Sequence, residues 1–326
     1  AAAEIAGLSS AIFSPESYLR HEIFVRNARG FMKETAEDNG KTCEIDIRSV
    51  LPHFDWRMFY AIWGIRYGQA DPDAPELARL REEAEETLAR MAETCSCRIA
   101  VSVRWFKAYA KDGGIRLAGD RETETPSSME VTFPMLRQEK PTVLKDGRKA
   151  MLSLSDFVPP AGYGFTSPAG IFAISVSSRR DHGRGCGCPE CRAAGDYDDM
   201  MERSIMNTLA EAASTWLDGQ ILATLEAADA GKYKVIKPAA GYSSCPDHTL
   251  KRDILSLLPD SESLGITLTE SCGMIPDASI CGMIFIHRNA VYPEIRSISR
   301  SQYDSYASRR GMTPEEAGRF LGHLLD

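Results

Sequence analysis

The stretch on which the interpretation of this chain turns is residues 236–249, which read IKPAAGYSSCPDHT. Prolines near both ends stiffen a loop of small residues whose backbone groups are open to contact. Gly241 followed by the ring of Tyr242 combines close backbone approach with a flat apolar surface, and both suit a purine or another planar ligand. Lys237 carries a positive charge that could meet a carboxylate of such a ligand.

The same stretch also has a purely structural interpretation. Asp247 and Thr249 lie where a helix is expected to begin, and side chains of these types satisfy the free N–H groups of a first helical turn. A rigid turn that leads into a capped helix explains the local pattern, and it is the favoured interpretation when the stretch is taken alone.

Two further stretches lie downstream. Residues 268–282 read LTESCGMIPDASICG, and two strands joined by a Pro-Asp turn explain most of this pattern. Residues 303–313 read YDSYASRRGMT, in which Gly311 is expected to end a helix. The overlapping TPEE at 313–316 is a capping box with proline at the first helical position, so it predicts the start of a second helix.

Hydrophobic periodicity predicts the remaining elements. The clearest amphipathic helix covers residues 74–94 after an N-capping Asp73, because apolar residues recur there at spacings of three and four. Further helices are expected at about 198–227 and 250–258. Strand patterns occur at 99–103, 114–117, 129–133, 171–176, 265–269 and 279–286. Because the strands come in blocks rather than in strict alternation with helices, they predict an α+β fold.

The composition limits the classes of function. The 326 residues include 43% hydrophobic and 26% charged residues, close to globular averages. Lys plus Arg is 38 and Asp plus Glu is 46, a net charge of −8, which argues against general nucleic-acid binding and against attraction to an anionic membrane. No apolar run approaches the roughly 20 residues of a membrane span, and the first residues carry no secretory signal. The sequence contains no phosphate loop, dinucleotide-binding loop, nucleophile elbow or HExxH motif.

The nine cysteines indicate free thiols in a reducing compartment, so we expect a cytoplasmic location. Residues 181–195 form a Cys- and Gly-rich loop insertion in which Cys186, Cys188 and Cys191 make a CxCxxC pattern near His182. Three thiols and an imidazole suit zinc or an iron–sulfur centre. An exposed loop with reactive thiols explains the same residues and is the favoured alternative.

Taken together and in this order, the stretches resemble the C-terminal activation domain of cobalamin-dependent methionine synthase. The resemblance rests on KPAAGYSSCPDHT, on LTES with a downstream Met and PDAS, and on YDSYASRRGMT. Upstream, FDW at 54–56, MLRQ at 135–138, SDFV at 155–158, DY at 196–197 and LAE at 209–211 agree in order and spacing. The resemblance covers residues 43–326 and leaves residues 1–42 as a partly helical N-terminal arm. We interpret the chain as a stand-alone or excised module of this type.

The resemblance implies a fold and a function. The fold would be a C-shaped, mainly antiparallel twisted sheet with surrounding helices. The domain would bind S-adenosylmethionine and support reductive reactivation, by methylation, of a cobalamin carried by a corrinoid-binding protein or domain, with flavodoxin or a related flavoprotein as reductant. The chain would be a component of a methyltransferase rather than a complete enzyme, and it would act by positioning the ligand, without a general acid or base.

The resemblance also implies ligand-binding residues on the amino-acid side of the ligand. Asp55 would meet the amino group of the ligand, although a simple helix cap is the favoured interpretation of this residue without the resemblance. Lys237 would hold the carboxylate, where the family usually has an arginine; lysine keeps the charge but loses the bidentate geometry. Glu211 would lie near the sulfonium, and the purely structural alternative is that it faces solvent on a long helix. Asn207, one turn earlier, stands where an acid is expected.

On the nucleoside side, the resemblance implies a loop and a wall of the site. Ala239, Gly241 and Tyr242 would form the adenine-side loop. Tyr292 would contact the ligand, and Pro293 follows it where an aromatic residue is common, so one wall of the site is expected to differ from the family.

Two alternatives of other classes remain open from the sequence. The departures at Lys237 and Pro293 suit a non-catalytic regulatory protein that binds S-adenosylmethionine or another nucleotide. The CxCxxC loop suits a metal or redox protein.

Overall fold

The computed structural model describes residues 13–20, 24, 40–65, 75–119, 130–144, 147–178, 196–225 and 231–326. A seven-stranded antiparallel sheet lies at its centre and consists of β1 (Thr42–Ile45), β2 (Cys97–Lys111), β3 (Gly114–Ala118), β4 (Glu130–Pro134), β7 (Ser167–Ser178), β8 (Lys234–Ile236) and β11 (Ser279–His287). The strand order is β4-β3-β2-β7-β11-β8, with β1 also paired to β2. Two short hairpins complete the strands of the described residues: β5 (Thr142–Val143) with β6 (Lys149–Ala150), and β9 (Thr267–Leu268) with β10 (Met274–Ile275).

The central strands read as continuous apolar runs because both faces of the sheet are covered. Side chains alternate between the two faces along a strand. In β7, Phe172, Ile174 and Val176 pack into one core cluster, while Ile171 and Ala173 pack into a second cluster on the other face. A strand buried on both faces has no polar side to alternate with, which accounts for the pattern that the sequence displays.

The helices of the described residues are α1 (Ile47–Val50), α2 (Trp56–Ile62), α3 (Pro75–Thr94), α4 (Asp196–Ala223), α5 (Leu250–Leu257), α6 (Arg300–Arg310) and α7 (Pro314–Leu321). The long helix α4 packs across β7, β8 and β11 and against α1, α2 and α3. Its apolar residues Met201, Ile205, Leu209, Ala213 and Leu217 recur at a spacing of four and form a buried stripe, and Trp216 beside them is half-buried. On the opposite face of the sheet, α5 contributes its apolar side to the second core cluster.

The last two helices form a smaller third cluster against residues near the end of β4. Gly311 ends α6, and the Thr313 hydroxyl caps α7 by accepting from the Glu316 N–H at 3.1 Å. Both signals were visible in the sequence, because a glycine stop followed by Thr-Pro is local chemistry.

The predicted α+β class with a mainly antiparallel sheet is confirmed, with several differences in detail. The strand expected at 265–269 is reduced to β9, and the helix expected at 198–227 runs from Asp196 to Ala223. Thr249 occupies the N-cap position of α5, but its predicted capping role is wrong, because its hydroxyl donates to the Asp247 carboxylate instead of accepting from the helix. The prediction for Asp247 is confirmed in that its carboxylate accepts from the Thr249 N–H at 2.8 Å. Asp73 lies outside the described residues.

Of the predicted N-terminal arm, the described residues include a short 3-10 turn, Pro15–Ser17, and a bridge between Tyr18 and His287. The side chains of Phe13 and Tyr18 are buried in the second core cluster, so this segment contributes to the core of the domain. Within the described residues, no helix combines the length and the apolar character needed to cross a membrane.

Candidate functional site

The predicted ligand-binding loop begins directly after β8 and is hydrogen-bonded to strand β11. Beyond β8, the Ala240 N–H donates to the Cys281 carbonyl at 3.0 Å, and the Met283 N–H donates to the Pro238 carbonyl at 3.1 Å. Between these contacts the loop crosses Gly282 so closely that a Cβ at this glycine would lie 2.3 Å from the Pro238 oxygen. The loop therefore takes its position from the sheet backbone and needs a residue without a side chain at Gly282.

A tight turn follows at Gly241. The Gly241 N–H donates to the Cys245 carbonyl at 2.7 Å, and the Cys245 N–H donates to the Tyr242 carbonyl at 2.8 Å. Gly241 has φ +94°, and a Cβ there would lie 2.5 Å from the ring of His248. The backbone of the turn thus requires glycine on two grounds, and it presents the Tyr242 ring outward with 56% of the residue exposed.

Lys237 does not project freely from this loop. Its ammonium pairs with the Asp218 carboxylate of α4, and its side chain is only 3% exposed. Burial lowers the pKa of Lys237, while the negative charge of Asp218 opposes that shift. Burial raises the pKa of Asp218, and the charge of Lys237 counteracts it. Asp218 of α4 therefore pairs with the same lysine that was predicted to hold the carboxylate of the ligand.

Sequence reasoning missed Asp218. The available signal is its spacing of seven residues from Glu211, which places both acids on one face of α4 about 10 Å apart along the helix axis. The pairing with Lys237 joins residues that are 19 positions apart and lie on different elements. That spacing alone could have marked a second acid on the same face but could not reveal its partner.

Two tyrosines border these charges. The Tyr242 hydroxyl donates to the Glu211 carboxylate at 3.4 Å, and the Tyr292 hydroxyl accepts from the Lys237 backbone N–H at 2.9 Å. The residue Tyr292 is 52% exposed. Burial raises the pKa of Glu211, with the Tyr242 hydroxyl and the Lys237 charge acting in the opposite direction. The structure therefore brings Glu211, Lys237, Tyr242 and Tyr292 of the predicted site together.

We call Glu211, Asp218, Lys237, Tyr242 and Tyr292 the acid–lysine cluster. It contains two carboxylates and one ammonium, which pairs with Asp218, so the cluster is negative when both acids are ionised. A negative site beside two exposed aromatic rings favours a cationic ligand with a flat group, through charge and through contact with the ring faces. The arrangement contains the means to bind and orient such a ligand.

The predicted residues Asp55, Ala239 and Pro293 do not belong to the acid–lysine cluster. Asp55 is the N-cap of α2, and its carboxylate accepts from the Arg57 N–H at 2.9 Å, which is the capping role considered as its alternative. Helix α2 packs against α4, which carries Glu211. Ala239 and Pro293 are buried, and the Ala239 carbonyl accepts from the Tyr242 N–H at 3.2 Å. Ligand contacts for these three residues stay predictions.

The predicted metal loop, residues 181–195, lies outside the described residues, and so do its Cys186, Cys188, Cys191 and His182. In the part of the chain that the structure describes, no group of three or more His, Cys, Asp or Glu side chains is placed to hold a metal ion. The metal hypothesis for residues 181–195 stays a prediction.

Comparison with known proteins bears on the predicted resemblance. The family model of the vitamin B12 dependent methionine synthase activation domain matches residues 46–311, a range that contains every member of the acid–lysine cluster. The chain is also similar to a solved structure described as the crystal structure of the MetH reactivation domain bound to AdoHcy, with a TM-score of 0.73 and 26% sequence identity. That match covers 87% of this chain and 90% of the other. The predicted resemblance is confirmed, and the chain belongs to the family of vitamin B12-dependent methionine synthase activation domains.

Proposed function

We propose that this chain binds S-adenosylmethionine at the acid–lysine cluster and supports reductive reactivation of a cobalamin carried by a partner protein or domain. The observation that carries the proposal is the excess of negative charge at the cluster, set between the exposed rings of Tyr242 and Tyr292. Membership of the activation domain family supports it, as does the similarity to a reactivation domain bound to AdoHcy.

The residues of the cluster fit the chemistry of the ligand. S-adenosylmethionine, when bound, supplies an activated methyl group on a positively charged sulfur. Glu211 and Asp218 place negative charge at the site, which favours a sulfonium over a neutral thioether. The fixed turn at Gly241 holds the Tyr242 ring in place as a surface for a planar group. These residues bind and orient, and the proposal requires no proton transfer by the chain.

The proposed partner is a corrinoid-binding protein or domain, and flavodoxin or a related flavoprotein is the proposed source of the electron. The exposure of Tyr242 and Tyr292 supports transfer of a methyl group to a corrinoid on another protein or domain, because such a transfer requires an open site. Within this proposal the chain is one component of a cobalamin-dependent methyltransferase.

Replacing Glu211 by glutamine tests the role of charge. We expect affinity for S-adenosylmethionine to fall about tenfold, the equivalent of about 1.4 kcal/mol, because the amide keeps the shape but removes the negative charge. Affinity for AdoHcy, whose sulfur is neutral, should change much less. Because the pKa of Glu211 is raised, wild-type affinity for S-adenosylmethionine should also weaken as the pH falls through that raised value, and the variant should lack this component.

Isothermal titration calorimetry with both ligands measures these affinities. Asp199→Asn is the matched control, since Asp199 lies on the same helix in an exposed pair with Arg203. Absence of saturable binding of S-adenosylmethionine to the wild-type chain would overturn the proposal. Binding without formation of methylcobalamin, when a partner carrying reduced cobalamin is added, would favour the regulatory alternative instead.

A further inference from the structure

We infer that Asp218 neutralises Lys237 by pairing with its ammonium. The site would then recognise a sulfonium nucleoside by the positive charge of the ligand and not by the carboxylate of the ligand. The inference rests on the proposed function and refines its ligand class. It predicts that adenosyl sulfonium compounds without a carboxylate, such as decarboxylated S-adenosylmethionine, bind about as well as S-adenosylmethionine itself.

Lys237 is already paired within the protein. A buried ammonium is stable only when it is paired, and Lys237 meets this need within the protein through Asp218. Its main chain is also fixed, because its N–H donates to the Tyr292 hydroxyl and the next residue, Pro238, is bonded to β11. Lys237 therefore cannot turn toward a ligand without leaving Asp218 unpaired.

A ligand that approached Lys237 would also meet the negative charge of Asp218 and Glu211. Asp218 is more exposed than Lys237, and Glu211 lies two helical turns away on the same face of α4. A ligand carboxylate that approached Lys237 would come close to these carboxylates, and like charges repel at such distances. A sulfonium or an ammonium group meets attraction at the same place. The cluster thus selects for cationic groups.

Lys237 differs from the arginine that the resemblance implies at this position. An arginine at this position could hold one carboxylate with one side of its planar group and leave other donors for a second partner. A lysine is a single point of charge and is already engaged by Asp218. Carboxylate recognition is therefore weak in this chain as long as Asp218 is ionised.

The test compares the dissociation constants of decarboxylated S-adenosylmethionine and S-adenosylmethionine by calorimetry. We divide the dissociation constant of decarboxylated S-adenosylmethionine by that of S-adenosylmethionine, so that a higher ratio means stronger recognition of the carboxylate. For the wild-type chain we expect this ratio to be near one, within about threefold. In Asp218→Asn the freed ammonium can meet the carboxylate, so the ratio should rise at least tenfold. The double variant Asp218→Asn with Lys237→Met should return the ratio to near one, because no ammonium remains.

The outcomes are distinguishable. A wild-type chain that binds S-adenosylmethionine at least tenfold more tightly than its decarboxylated form overturns the inference and leaves the proposed function intact. A ratio that does not change in Asp218→Asn also overturns it. If Asp218→Asn does not fold, Lys237→Met alone decides: a ratio equal to that of the wild type supports the inference, and a ratio reduced tenfold contradicts it. Failure of the wild-type chain to bind either ligand removes the proposed function itself.

Discussion

Replacing Asp247 by alanine is expected to lower the free energy of unfolding by about 3–5 kcal/mol, because it removes one partner of a buried ion pair. Asp247 is 1% exposed, and its carboxylate accepts from the Tyr306 hydroxyl at 2.9 Å and from the Thr249 N–H and hydroxyl at 2.8 and 2.7 Å. Arg310 lies 3.3 Å from the same carboxylate and also pairs with Asp253. Alanine would leave a largely buried guanidinium with one acid and a buried hydroxyl without its acceptor.

The effect should extend to ligand binding. Asp247 lies two residues beyond Cys245, whose backbone closes the turn at Gly241, so loss of this anchor should loosen the turn that carries Tyr242. Urea-induced unfolding measures the stability, and calorimetry with S-adenosylmethionine measures the binding. Tyr306→Phe is the graded comparison, since it removes one hydrogen bond and should cost about 1–1.5 kcal/mol. A loss below 1 kcal/mol for Asp247→Ala would show that the network does not anchor the loop.

Replacing Gly282 by alanine should both destabilise the fold and weaken ligand binding. The added Cβ would lie 2.3 Å from the Pro238 oxygen and 2.8 Å from the Ala239 Cα, and both are backbone atoms that cannot rotate away. The loop must therefore move off β11, which breaks or stretches the hydrogen bonds on either side of the contact. Forcing extra volume into a packed site costs about 1–3 kcal/mol, and we expect a value at the upper end.

The affinity of this variant for S-adenosylmethionine should fall at least tenfold, since the displaced loop carries Lys237 and Tyr242. Gly318→Ala is the matched control, because Gly318 is exposed within α7 and its Cβ would meet only a Tyr303 hydroxyl at 4.0 Å. Alanine is the better helix former by about 1 kcal/mol, so this control should stabilise the protein slightly. Equal effects of the two substitutions on the melting temperature would contradict the close-approach argument.

Local chemistry explains which parts of the fold the sequence could predict. The stripe on α4 follows from apolar residues at helical spacing, and the break between α6 and α7 follows from Gly311 and Thr313-Pro314. The central strands are recognisable as apolar runs, although their order in the sheet is not, because pairing between β7 and β11 joins residues about a hundred positions apart. The sequence thus carried the elements and the class but not the arrangement.

The candidate site was predictable only in part, for the same reason. Family-like motifs pointed to Glu211, Lys237, Tyr242 and Tyr292, which the fold brings together. The partner of Lys237 was out of reach, since Asp218 is an ordinary acid on a long helix until β8 is placed beside it. The cap predicted at Thr249 failed because its hydroxyl donates to Asp247, two residues earlier, and accepts from Arg310 of α6.

The anchoring of Asp247 by α6 has a consequence for how the domain moves. Since Tyr306 and Arg310 hold the same buried acid that orders the turn, undocking of α6 and loosening of the turn are two aspects of one local opening. Thermodynamic linkage then requires reciprocity: a ligand that prefers the ordered turn must also suppress the undocking of α6, although it touches no residue there. Slower amide hydrogen exchange along Arg300–Arg310 would be the signature of an occupied site.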